Sequence, residues 1–98
     1  MISEADLLQR TIDLARLNRW RVCHQRPART TQGWRTPITG DQGMPDLVLA
    51  RDGVVLLVEE KSERGRLRPG QRLWLDACGE HGRLWRPSDW DTIVEELG

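Results

Sequence analysis

Residues 43–61 restrict what this chain can fold into more than any other part of it. Two apolar, β-prone runs, 47–50 and 54–58, flank Asp52-Gly53, and an Asp-Gly pair in that setting is the strongest short-range hairpin signal. With Asp52-Gly53 as a two-residue loop, Arg51 pairs with Val54, and counting outward places Asp46 opposite Glu59. Residues paired across an antiparallel ladder share a face, with Cβ atoms about 4.5–5.5 Å apart. Lys61 joins that face by the period of a strand. Two carboxylates held opposite one another should repel. A divalent cation between them reverses the sign, because oxygen-rich carboxylate sites suit Mg²⁺ or Mn²⁺. The open end of the hairpin therefore reads as a metal site. Glu60 also precedes Lys61, but strand parity puts it with Leu56 and Val58 on the other face. Glu59 is thus the expected carboxylate ligand, and Glu60 offers its backbone carbonyl.

Pro45-Asp46, a strand, then Glu59-x-Lys61 resembles the pattern of the PD-(D/E)xK nuclease superfamily. The longer string narrows it: Gly43-x-Pro45-Asp46-Leu47, Glu59-x-Lys61, Gly65-x-Leu67 and Gln71-x-x-Trp74-Leu75 resemble the VRR-NUC family, small nucleases often encoded by phages as stand-alone chains. The resemblance implies a restriction-endonuclease-like α/β fold, αβββαβ with a short C-terminal helix, and a mixed sheet flanked by helices. It implies a metal-dependent DNA endonuclease that leaves a 5′-phosphate and a 3′-hydroxyl. Asp46 and Glu59 would hold Mg²⁺ or Mn²⁺, Lys61 would orient the attacking water, and Gln71 would position water or phosphate beside it. Family members carry an acidic residue in helix 1 that completes the metal site, and Glu4 matches it; on physical grounds alone, an acid there could equally serve the helix dipole. Small stand-alone members resemble Holliday-junction resolvases, so the expected substrate is a four-way junction cut by a homodimer. A flap or single-strand nuclease, or a DNA-binding module without chemistry, are the alternatives. A charged residue at position 60 and a short final strand depart from the family pattern.

A chain of 98 residues suits one small domain, expected over 1–98. Its 38% hydrophobic and 31% charged content is that of a globular protein. No apolar run has the length of a membrane span and the N-terminus lacks the marks of a signal peptide, so the expected location is cytoplasmic, in a bacterial cell or an infected host. Cys23 and Cys78 follow no metal-binding spacing and are expected as reduced core thiols.

The formal net charge is zero, but the charges are segregated. Residues 14–40 carry six Arg and no acid, and residues 64–72 carry four Arg and no acid. Two basic segments either side of an acidic hairpin suit a phosphate backbone led toward a metal, with Arg26, Arg29, Arg35, Arg64, Arg66 and Arg68 as the candidate contacts. An ordinary solvated surface is the plainer reading of either segment. Trp34 could stack on a base or wedge into a junction, or fold back over the core. Of the fifteen basic residues only Lys61 is a lysine, a compact ammonium suited to orienting or deprotonating a water.

The remaining elements follow from periodicity. Ser3 and Asp6 form a capping box opening helix 1, whose expected buried stripe is Leu8, Ile12 and Ala15. Residues 20–24 alternate as a strand, with His24 in a structural role. Residues 25–44 read as a long loop without periodicity. Pro69 opens helix 2, with Leu73, Trp74, Ala77 and Cys78 expected inside. Residues 83–86 form a last strand. Ser88 caps a final helix that buries Trp90, Ile93, Val94 and Leu97.

Overall fold

The computed structural model describes residues 2–25, 28–30, 33–35 and 38–98, with only the backbone described at 28–30, 34 and 35. Helix α1 (Glu4–Leu17) leads into strand β1 (Arg21–His24). A short ribbon follows, β2 (Ala28–Thr30) and β3 (Gly33–Arg35), and then the hairpin β4 (Leu47–Arg51) and β5 (Val54–Glu60). Helix α2 (Pro69–Cys78), strand β6 (Gly82–Trp85) and helix α3 (Trp90–Leu97) complete the chain. The main sheet has the order β1-β4-β5-β6, antiparallel except for the parallel pair β5–β6 that flanks α2. It is the mixed α/β sheet expected, with one addition. The ribbon β2–β3 occupies part of the segment read as a loop, because its three-residue strands are too short to leave a periodic signal.

The hairpin register is the expected one, Arg51 against Val54 through to Leu47 against Val58. Its turn places Asp52 and Gly53 at φ 51° and 83°, the left-handed conformation at both central positions that a type I′ turn needs. Leu47, Leu49, Leu56 and Val58 share one face and are buried with Leu7, Ala15, Ile93 and Leu97 beneath α1 and α3. Each buried Leu, Ile or Val side chain among them contributes roughly 1.5–3 kcal/mol. A one-residue slip would turn all four outward, so the register that aligns Asp46 with Glu59 is held by the core.

Helix α1 is capped as expected, Ser3 Oγ accepting from the Asp6 amide at 3.1 Å. Its buried stripe is rotated from the expected one: Leu7, Thr11 and Ala15 are buried, while Leu8 and Ile12 are only partly covered. Helix α2 departs further. Leu73 is 70% exposed and Ala77 is exposed, and Gln71, Trp74, Leu75 and Cys78 form the half-buried side instead. The crossover explains this. Gly82 of β6 faces α2, so close that an added Cβ would lie 3.2 Å from Cys78 Cβ and 3.4 Å from Leu75 Cδ2.

The last helix is entered differently from the expectation. A 3₁₀ turn at Pro87–Asp89 is held by the Asp89 carboxylate accepting from the Arg86 amide at 2.8 Å, and Asp89, not Ser88, is the N-cap of α3. The Ser88 amide donates to Glu63 Oε2 at 3.0 Å. In α3, Ile93 and Leu97 are buried and Val94 is exposed. Both cysteines are free, but neither is a core residue: Cys23 is exposed and Cys78 half-buried. Among the described residues no helix is long and apolar enough to cross a membrane.

Candidate active site

The β4–β5 ladder closes at Leu47 and Val58, and the next pair outward is Asp46 and Glu59. Both ends of this step are tied to the sheet. The Gln25 amide donates to the Asp46 carbonyl at 3.1 Å, prolonging β1–β4, and the Lys61 amide donates to the Trp85 carbonyl at 3.1 Å, prolonging β5–β6. Asp46, Glu59 and Lys61 therefore stand at the end of the sheet on its α2 side, as strand parity requires.

Glu59 is 2% exposed, and its pKa is pushed up to about 9. Burial is the main cause, followed by the hydrogen bond and negative charge of Asp46; Lys61 opposes the rise and Glu4 adds to it. Two facing carboxyl groups are held together either by a shared proton or by a cation between them. Glu60 points to the other face, 1% exposed beneath α1. Its pKa is raised to about 7, chiefly by burial, with Asp46 and Glu4 adding to the rise and Thr11 opposing it. The Thr11 hydroxyl lies 3.0 Å from Glu60 Oε2 and 2.9 Å from the Leu7 carbonyl oxygen. Its one proton is shared between the two acceptors.

Glu59 Oε1 and Glu60 Oε1 are buried with no hydrogen-bond partner. An ionised carboxylate in that condition costs several kcal/mol unless a positive charge compensates it. An all-oxygen set with an unpartnered ligand atom fits Mg²⁺ or Mn²⁺. Glu4, exposed on the first turn of α1, acts on both glutamates through its charge. Among the described residues no three His, Cys, Asp or Glu side chains are drawn together into one metal-binding group.

The loop carrying Asp46 is pressed against the start of α2. Gly43 adopts φ +98°, and a Cβ there would lie 2.5 Å from the Gly70 carbonyl carbon and 2.7 Å from the Gln71 amide nitrogen. Trp74 Nε1 donates to the Asp41 carbonyl at 3.2 Å on the same side of α2. Gln71 spends its side-chain oxygen on the Arg68 amide at 2.9 Å, capping the helix and leaving its NH₂ as the group available to a substrate.

Arg64 and Arg66 line a cleft of about 490 Å³ beyond Lys61, joined there by Arg72 and Arg86; Arg68 does not line it. Arg26 lies outside the described residues, as do the side chains of Arg29, Trp34 and Arg35. Sequence reasoning passed over Thr11, Gly70 and Arg86. A polar residue inside an apolar helical stripe and a glycine in a helix's first turn were the available signals for the first two; for Arg86 there was none.

An antiparallel hairpin presenting Asp46 and Glu59-x-Lys61, with a helical crossover to a parallel neighbour, is the core of a PD-(D/E)xK-type nuclease fold. The model of the VRR-NUC domain matches residues 7–85, and the chain belongs to that family of nucleases. Glu4 and α3 fall outside the matched residues. No curated protein and no solved structure matches the chain.

Proposed function

We propose that this chain, as one nuclease domain over residues 1–98, is a Mg²⁺- or Mn²⁺-dependent endonuclease that nicks branched DNA as a homodimer in the cytoplasm. The observation that carries it is the Asp46–Glu59 pair, a half-buried carboxyl facing a buried one that keeps an unpartnered oxygen, beside the chain's only lysine. Asp46 and Glu59 would hold the ion, with the Glu60 carbonyl as a further oxygen and Glu4 supplying an acidic group from α1. The bound ion supplies Lewis acidity toward the scissile phosphate and neutralises the paired carboxylates.

The chain's own residues do the rest. Lys61 hydrogen-bonds the attacking water and supports the charge growing on the phosphoryl oxygens. Gln71 directs its NH₂ at water or phosphate while its oxygen keeps α2 in place. In-line attack of that water on phosphorus breaks the bond to the 3′-oxygen, so the products carry a 5′-phosphate and a 3′-hydroxyl. Arg64 and Arg66, with Arg26, Arg29, Arg35 and Arg68, position the backbone without reading sequence, and Trp34 is the candidate to stack on an exposed base.

Paired nicks in a four-way junction need two sites, and one chain carries one. A two-fold dimer matches the two-fold symmetry of the junction, which supports the resolvase reading. The test compares four-way junction, flap, single-stranded and linear duplex DNA in Mg²⁺, Mn²⁺ or EDTA, beside Lys61→Ala. Paired nicks across the junction, lost in EDTA and in the variant, are expected. Cleavage of flaps or single strands alone would keep the site and discard the resolvase. Binding without cleavage in any metal would leave a DNA-binding module.

A further inference from the structure

We propose that the arginine-lined cleft beyond Lys61 is a phosphate subsite for the bound strand. Arg64, Arg66 and Arg72 are its binding groups, and Arg86 is a positioning residue beneath them. The nuclease reading above supplies the identity of the strand; the subsite itself stands on the geometry of the cleft.

Three observations converge. First, the lining is one-sided in charge: Arg64, Arg66, Arg72 and Arg86 against a single acid, Glu63, whose Oε2 is already engaged by the Ser88 amide. Second, the arginines elsewhere in the fold that serve structure have visible partners. Arg51 donates to the Asn18, Leu97 and Gly98 carbonyls and stacks on Trp20, and Arg83 pairs with Glu96 at 2.6 Å. Among the described residues Arg64, Arg66 and Arg72 have no ion-pair partner. Three guanidinium groups on one wall, with Glu63 as the single acid beside them, leave an excess of positive charge that concentrates potential for an incoming anion.

Third, the wall is built to keep its shape. Arg86 Nη1 donates to the carbonyls of Ser62 at 2.7 Å, Glu63 at 3.2 Å and Gly65 at 2.6 Å. The Gly65 amide closes the same turn on the Ser62 carbonyl at 3.2 Å. The turn that presents Arg64 is thus clamped from below, directly after Lys61 in the chain. Leu67 and Pro69 add apolar surface against which a sugar edge can lie. About 490 Å³ lies within the range of small-ligand clefts, roughly 300–1,000 Å³, and so accommodates a nucleotide unit. Guanidinium forks match phosphate geometry, and three of them serve either an interior phosphodiester or a terminal phosphate.

The experiment measures binding without chemistry. Fluorescence anisotropy in EDTA follows labelled single-stranded oligonucleotides, with and without a 5′-phosphate, over a range of NaCl concentrations. Wild type is compared with Arg72→Ala, the Arg64→Ala/Arg72→Ala double variant, and Arg10→Ala as a charge-matched control outside the cleft, each checked for fold by circular dichroism. The single variant should bind about tenfold more weakly and lose roughly 0.7 from the slope of log K against log salt, with about twice that slope change for the double variant. Arg10→Ala should bind like wild type. Equal losses on both oligonucleotides assign the cleft to an interior phosphodiester, and a larger loss on the phosphorylated one assigns it to a terminal phosphate. Wild-type affinity and slope in the double variant overturn the proposal. A protein that cuts no substrate yet shows these losses keeps the subsite and sinks the nuclease reading; one that cuts DNA without them does the reverse.

Discussion

Gly43 and Gly70 meet backbone to backbone: a Cβ on Gly43 would lie 2.5 Å from the Gly70 carbonyl carbon, and one on Gly70 would lie 2.9 Å from the Gln42 carbonyl oxygen. Neither contact involves a flexible side chain that could move aside. The loop that presents Asp46 is thereby docked on the helix that presents Gln71.

Gly43→Ala combines this clash with φ +98°, a conformation that costs an L-residue about 1–3 kcal/mol by itself. Urea denaturation should show at least that loss. Gly53→Ala, at φ +83° with open space around it, should show the strain alone. Equal losses in the two variants would mean that the Gly43 contact carries no energy.

Thr11→Val keeps the shape of the side chain and removes the hydroxyl shared by Leu7 and Glu60. A buried carboxyl that loses its partner costs about 1–3 kcal/mol. Thr11→Ser should retain most of the stability, and Val and Ser variants of equal Cm in urea would refute a role for the hydrogen bond.

The pH dependence follows from two raised carboxyls. Glu59 and Glu60 titrate near 9 and 7 in the fold, against 4.5 as the reference for an unfolded glutamate. Above pH 4.5 the unfolded chain releases these protons while the folded chain still holds them, so stability of the metal-free protein falls as pH rises. Glu60 contributes to the fall up to about pH 7 and Glu59 up to about pH 9. Thermal melts in EDTA from pH 5 to 9 should show a declining Tm, and Mg²⁺ or Mn²⁺ should flatten the decline. A metal-free Tm that climbs over this range would contradict the site.

Asp46→Asn separates stability from activity. It removes one of two facing carboxyls, so in EDTA at pH 10, above the Glu59 value of about 9 and with both groups ionised, the variant should melt higher, by about 4–8 °C for each kcal/mol of repulsion relieved in a chain this size. Cleavage should fall on the order of 10²–10³-fold. A variant that melts lower and still cuts would remove Asp46 from the centre.

What could be read in advance depended on how local the cause was. The Asp52-Gly53 turn, the alternation in β4 and β5 and the Ser3 cap are set by residues within a few positions of one another, and they place Asp46 opposite Glu59 with Lys61 beyond. The same parity separated Glu59 from Glu60. The buried sides of α1, α2 and α3 were read less well, because each was assigned from its own apolar residues. Their true orientation depends on what they face: Thr11 turns inward to meet Glu60, and Leu73 stays outside because Gly82 draws Leu75 and Cys78 toward the sheet.

The sequence by itself determined the hairpin, its register and the cluster of charge at its end, since a turn and a period of two suffice for those. Only the tertiary structure decided what that charge experiences. Burial raises Glu59 and Glu60, Gly43 against Gly70 holds the Asp46 loop to α2, and Arg86 clamps the turn that follows Lys61. Each of these joins residues far apart in the chain, and desolvation and close packing exist only once such residues have been brought together.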